Sequence, residues 1–383
     1  MLPLDDDEIE VPLPPGPPPG PPPPPPPPPV DLPLERIVSG AAPPIQYRAL
    51  AELAKDTSLP RLLPSIVYSY KPALMLALEQ GSDGTWHQAM IRPPTPTTRA
   101  PFAGVGTVPA VHRLLECGWD REAPILLNAR RPLFRLLAED NDPAFTYELA
   151  GESKDGDGAA FSRSVLRAAA AGALAHAGYG TDPRLRGAAQ RMRQRIQGFL
   201  DSPLADDPWV KHEGKQVLVA DAMPPSLHFL IMLAFMPGFR LEHDEFVDLL
   251  FKYLTRPLPR HEPVQLAGSR AVPAPGLVLG DPLPTRQAAD ADISFTLLWL
   301  ELMARLGLLE RHEPWKRQFE RLLDDRDRDL LWRPGKSQAT TSTRPAVWPF
   351  SALGKPGEDG AALEVTFRLG LIGRLAGREL HFV

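Results

Sequence analysis

Leu115-Glu116-Cys117-Gly118-Trp119 ends an apolar run, and sixty residues later Ala175-His176-Ala177-Gly178-Tyr179 ends another. Phe235-Met236-Pro237-Gly238-Phe239, Ala304-Arg305-Leu306-Gly307-Leu308 and Arg374-Leu375-Ala376-Gly377 continue the series, with glycine spacings of 60, 60, 69 and 70. Each glycine follows residues at helical apolar spacing and suits the position just past a helix, where a left-handed backbone favours Gly. After the first four glycines come more polar segments, 123–138, 184–200, 244–254 and 315–323. Loops rich in Asp and Pro then lead onward, and three of them set an aromatic near aspartate: Asp142-Pro143-Ala144-Phe145, Asp207-Pro208-Trp209 and Asp329-Leu330-Leu331-Trp332. An apolar helix paired with an amphipathic one predicts an inner and an outer ring. About five to six such hairpins would curl into an α/α toroid or an open solenoid. The inner helices are expected near 106–117, 160–177, 224–237, 292–306 and 364–376. Alternating strand runs are not evident, and prolines break 264–279 into loop or one small hairpin, so the fold class is all-α.

The N-terminus is of another kind. Seventeen of the 48 prolines fall in the first 33 residues, including the run Pro21 to Pro29. Residues 1–35 hold seven acids and no base, so the net charge of −5 arises there and the rest of the chain is close to neutral. Consecutive prolines remove amide donors and favour polyproline II, so this segment is expected to be a disordered tail. Residues 1–38 are assigned to it, and 39–383 to one helical domain. The tail reads as a spacer, or as a ligand for a protein partner with an aromatic-lined groove. A near-neutral body argues against nucleic-acid binding. Asp5-Asp6-Asp7-Glu8 stands where a secretory signal needs positive charge, and the longest apolar stretch, 227–239, is too short to span a bilayer. A cytoplasmic, non-spanning protein is the expectation.

Between the first apolar helix and the next, Gln80-Gly81-Ser82-Asp83-Gly84-Thr85-Trp86 fits Q-x3-G-x-W. That pattern resembles the repeat signature of the squalene–hopene cyclase and prenyltransferase superfamily. The resemblance implies an α/α toroid around a central apolar cavity. It also implies that Gln80, Gly84 and Trp86 are structural: the Gln caps a helix end and the Trp stacks on it, tying hairpins together. Asp329-Leu330-Leu331-Trp332 looks like a degenerate copy, read with Leu331 in the place of Gly.

Cyclases of that superfamily protonate an alkene with an aspartic acid in D-x-D-D, a carboxyl kept neutral by burial. Asp290-Ala291-Asp292-Ile293 matches three positions of four, so by resemblance Asp292 would be the proton donor and Asp290 its neighbour. The plainer reading of both is an N-terminal helix cap. Prenyltransferases hold zinc with Asp, Cys and His; Cys117 is the single cysteine and has no Asp-x-Cys partner, so no metal or cofactor is expected. The acids of Asp325-Arg326-Asp327-Arg328-Asp329 alternate like a calcium loop but lack its later ligands, and read as a solvated turn. Nucleophile and phosphate-loop motifs are absent. His112 and His228 sit on apolar helices and would line a cavity as acid or base, and Tyr68, Phe229, Phe295 and Trp299 would line it with aromatic faces. Core packing explains the same residues. Two functions are compatible with this pattern. One is a terpenoid cyclase-like or prenyltransferase-like toroid binding an apolar small molecule such as an isoprenoid. The other is a noncatalytic toroid acting as an interaction module through its proline-rich tail and loops.

Overall fold

The computed structural model describes residues 27–54, 64–92, 104–138, 148, 156–274, 276–335, 338 and 359–383. Among the described residues, fifteen α-helices predominate, accompanied by two small sheets. The chain opens with β1 (Val30–Leu32), α1 (Leu34–Gly40) and α2 (Pro43–Arg48), which runs on into a π turn over Ala49–Leu53. Then come α3 (Pro64–Tyr68), α4 (Lys71–Leu78), α5 (Thr107–Glu116), α6 (Pro124–Ala138), α7 (Gly156–His176) and α8 (Pro183–Leu200). The hairpin β2 (Trp209–His212) and β3 (Lys215–Leu218) precedes α9 (Leu227–Ala234), α10 (Pro237–Leu241) and α11 (Asp244–Leu254). A second hairpin, β4 (Val264–Ala267) and β5 (Arg270–Pro273), leads to α12 (Arg286–Asp290), α13 (Ile293–Arg305), α14 (Glu313–Asp324), α15 (Gly360–Leu375) and β6 (Leu380–Phe382).

The five helices expected to be apolar are the buried ones. In α9 every residue is buried, and in α13 all but the last. α5 packs on α7, α7 on α9, α9 on α13 and α13 on α15, and α15 returns onto α1 and the π turn. The amphipathic helices lie against them: α6 on α7, α8 on α6, α7 and α11, and α14 on α15. The alanine run in α7 lets α9 come close. A Cβ on Gly172 would stand 3.0 Å from the carbonyl oxygen of His228. Small side chains at such a crossing allow backbones to approach, and that approach fixes where His228 sits.

Four of the five period glycines end their helices identically. Gly118, Gly178, Gly307 and Gly377 have φ of +81°, +82°, +72° and +80°. In each, the glycine N–H donates three residues back and the following N–H donates five back, as in Trp119 to Leu114 and Tyr179 to Leu174. This double bond is the Schellman closure of a helix. Gly238 departs from the series: it lies inside α10, which Pro237 starts before any such turn can form.

Other expectations are corrected. The class is mostly helical rather than all-α, because β2–β3–β4–β5 form one four-stranded sheet and β1 pairs in parallel with β6. The packed chain begins before residue 39: Val30, Leu32 and Ile37 are buried, and the β1–β6 ladder joins the two ends of the described chain. Residues 1–26, with most of the proline run, lie outside the described residues, as does the Asp142–Phe145 loop.

Candidate functional site

The turn after α4 shows how the hairpins are joined. Gln80 Nε2 donates to the carbonyls of Gly84 (3.1 Å) and of Ile125 (2.8 Å), in the first turn of α6. Gly84 has φ +84°, and a Cβ there would meet the Asn128 carbonyl at 2.4 Å, so only glycine fits. Trp86 is fully buried; its Nε1–H donates to the Leu76 carbonyl at 2.7 Å and its backbone N–H to Thr107 Oγ1 at 3.1 Å. The same geometry recurs at 326–332. Arg326 bridges Trp332 as Gln80 bridges Trp86, Leu330 takes the left-handed position at φ +58°, and buried Trp332 donates its N–H to Thr366 Oγ1 at 2.9 Å. The register is therefore corrected: Leu330, not Leu331, occupies the glycine place.

A cavity of about 580 Å³ opens beside the N-terminal halves of α5, α7 and α9. Val108, Pro109 and His112 of α5, Phe161 and Ala168 of α7 and His228 and Phe229 of α9 supply much of its wall. The proline-broken segment 264–279 supplies another wall, through Gln265, Pro273, Ala274, Gly276 and Leu277. The lining is predominantly apolar. Arg92 and Arg195 also line it and are exposed, so they stand at its opening.

Polar groups in the wall are mostly engaged by the protein. Glu148 accepts from the amides of Met90 (2.6 Å) and Ile91 (2.8 Å), and Ser226 caps α9 by accepting from Phe229 N at 3.2 Å. Ser164 donates to the Phe161 carbonyl at 2.8 Å and Gln265 to that of Ala222 at 2.6 Å. His228 differs: it is 9% exposed, and among the described residues its Nδ1 has no hydrogen-bond partner. Burial lowers its pKa to about 4, so the ring is neutral at neutral pH.

Below the cavity His112 reaches a second imidazole, with 2.8 Å between its Nδ1 and that of His176. Burial, and then His176 itself, hold His112 well below 6.5; burial holds His176 down to about 4 against the pull of Glu116. His176 Nε2 lies 3.6 Å from Glu116 Oε1. A carboxylate there favours a proton on Nε2, which assigns Nδ1 of His176 as acceptor and Nδ1 of His112 as donor. Beyond it lies a buried ionic cluster at the opposite ends of the helices. Glu116 binds both Arg48 and Arg368; Arg48 also binds Glu52, Arg368 lies 3.4 Å from Glu301, and Glu301 holds Arg305 at 2.9 Å. Three arginines thus meet three glutamates. Burial alone would raise the pKa of Glu116, but Arg368 and Arg48 outweigh it and keep the carboxyl ionised. Phe235 seals the group, its ring 4.3 Å from that of His176 and 4.3 Å from the Arg305 guanidinium.

Of the residues singled out from sequence, the structure brings His112, His228 and Phe229 to this cavity. Phe295 and Trp299 border a separate one of about 130 Å³. Tyr68 packs edge-on against Trp119 at 4.9 Å. Asp292 and Asp290 line neither cavity. Asp292 is the N-cap of α13, its Oδ1 accepting from Phe295 N at 2.9 Å. Asp290 is bound by Gln338 and Arg321, each at 3.0 Å, and by Arg286 at 3.3 Å. Burial would raise its pKa, but these partners hold it below the usual carboxylate range, the opposite of what a proton donor needs.

Sequence reading missed Glu116, His176 and Arg305, yet a signal existed: each stands two residues before a period glycine. Among the described residues no group of three His, Cys, Asp or Glu side chains is placed to hold a metal, and no helix is long and apolar enough to cross a membrane. No family model, no curated protein and no solved structure matches the chain.

Proposed function

We propose that this chain is a single α/α toroid that binds an apolar small molecule with an anionic head in the cavity among α5, α7 and α9. Support for the ring comes from the succession of buried helices, each packed on the next and the last on the first elements, with β1–β6 and the ionic cluster joining the two ends. The observation that carries the ligand reading is the cavity itself: about 580 Å³, in the range of small-molecule sites, walled by apolar side chains and entered past Arg92 and Arg195. Apolar surface supplies the binding energy, and guanidinium groups at the opening select the negative end.

Acid-initiated cyclisation by Asp292 is not the favoured reading, since that carboxylate caps α13 away from the cavity. Binding tests the proposal directly. An anionic naphthalene dye should gain fluorescence on the wild-type protein and be displaced by long-chain fatty acids. Ala168→Trp, which fills the cavity from α7, should abolish this while the far-UV circular dichroism is unchanged. Dye binding that survives Ala168→Trp, or no binding by the wild type, would overturn the assignment.

A further inference from the structure

The polar atoms of the cavity are unevenly distributed, and the imbalance bears on the far end of the ligand. At the opening stand the guanidinium groups of Arg92 and Arg195. In the wall, Ser164, Ser226, Gln265 and Glu148 each hydrogen-bond the protein backbone. Of the two further arginines that line it, Arg167 donates to the Leu136 carbonyl at 3.1 Å, while Arg113 is buried and engaged within the protein. His228 is the exception. It lines the cavity, is nine-tenths buried and has an Nδ1 without a hydrogen-bond partner among the described residues. Native interiors satisfy such atoms, and leaving one bare is costly, so an atom like this marks where a ligand group or water belongs. Its backbone is held by the close approach of α7 at Gly172.

Charge decides what kind of group that is. Burial keeps the ring neutral at neutral pH. A neutral imidazole offers one donor and one acceptor and no net charge, which suits a hydroxyl or carbonyl and gives a carboxylate or phosphate nothing beyond a single hydrogen bond. The anionic end therefore belongs with the exposed arginines at the opening, Arg92 and Arg195, and the neutral end with the imidazole.

We propose that His228 is the specificity-determining residue of the cavity, and that its ligand is an amphiphile carrying a neutral hydrogen-bonding group, a hydroxyl or carbonyl, at the end remote from its anionic head. The proposal rests on the cavity being a binding site and adds the chemistry of its inner end. A site built to hydrogen-bond a hydroxyl rejects the analogue that lacks one, because the protein atom is then left unpaired.

The test compares matched medium- and long-chain fatty acids with their ω-hydroxy counterparts, by dye displacement and calorimetry on the full chain. At the chain length that fits, the wild type should bind the ω-hydroxy acid about tenfold more tightly, one good hydrogen bond's worth. His228→Phe keeps an aromatic ring and removes the polar atoms. It should bind the unsubstituted acid at least as well as the wild type and lose the preference; His228→Gln, which restores a donor and an acceptor, should recover part of it. Equal affinity for the two series on the wild type, or an undiminished preference in His228→Phe, overturns the assignment while leaving the cavity a lipid site. Failure of both series to bind overturns the cavity reading itself, and this inference with it. If His228→Phe does not fold, the wild-type comparison still decides.

Discussion

Trp86 ties three parts of the chain to one side chain: the carbonyl of Leu76 in α4, the hydroxyl of Thr107 at the start of α5, and, through Gln80 and Gly84, the first turns of α6. Trp86→Ala should therefore cost about 3–5 kcal/mol, as large aromatic deletions from a core do. Chemical denaturation measures it, and a change the size of an ordinary surface substitution would mean that the turn is held by Gln80 alone. Asp292 makes the opposite prediction. As an N-cap donating nothing to the cavity, Asp292→Ala should cost about 1 kcal/mol and leave dye affinity unchanged. A loss of binding with stability intact would return Asp292 to the site. Both residues were legible in the sequence, because a glycine two before a tryptophan and an acid just before an apolar run are local patterns. The second turn at 326–332 was misread by one residue because Leu330 adopts a left-handed backbone that sequence normally reserves for glycine.

At the scale of elements, the buried helices and their amphipathic partners were legible because burial imposes helical spacing and their ends are marked by glycine. The strands were not. β2 and β3 turn through Glu213 and Gly214, at φ +46° and +81°, so the turn fits the hairpin geometry without the Asn-Gly or Asp-Gly signal. β1 has three residues at the edge of a proline tract, too few to show alternation, and its partner β6 lies at the other end of the chain. Yet β1 packs: Gly370 and Gly373 of α15 approach Leu32 and Val30 so closely that a Cβ on either would stand 2.9 Å from those side chains. Truncations should separate tail from strand. Removing residues 1–26 should leave the melting temperature nearly unchanged, since their prolines and acids offer little apolar surface to bury and few amide donors. Removing residues 1–34 should lower it by several degrees, because Val30 and Leu32 are 1% and 0% exposed and each buried aliphatic chain contributes about 1.5–3 kcal/mol. Equal melting temperatures for the two truncations would show that the β1–β6 ladder contributes nothing.

For the whole molecule, the ionic cluster is what sequence could least reveal. Glu116 and Arg368 are separated by 252 residues, and only the assembled helices bring their ends together. Its consequence is a dependence of stability on pH. Two buried imidazoles lie beside Glu116: His112 faces His176, His228 and Glu116, while His176 faces Glu116, Arg305, Arg48 and Glu52. In the unfolded chain these imidazoles take protons near 6.5, whereas burial keeps His176 and His228 near 4 and His112 well below its ordinary value. Between those limits the unfolded state binds more protons, so stability is full above about pH 6.5 and falls as the pH drops toward 4. At about 1.4 kcal/mol per pH unit, His176 and His228 each remove on the order of 3 kcal/mol by pH 4. Glu116 and Glu52 extend the loss, but only below about pH 4.5, because their carboxyls titrate from the usual 4.5 downward. The two windows are thus separable. Melting temperature should hold level from pH 8 to 7, decline from about pH 6.5, and decline less steeply in His228→Gln, which removes one buried imidazole without emptying its place. A curve flat to pH 4.5 would mean that the imidazoles at the base of the cavity reach water, and with them the floor that closes it.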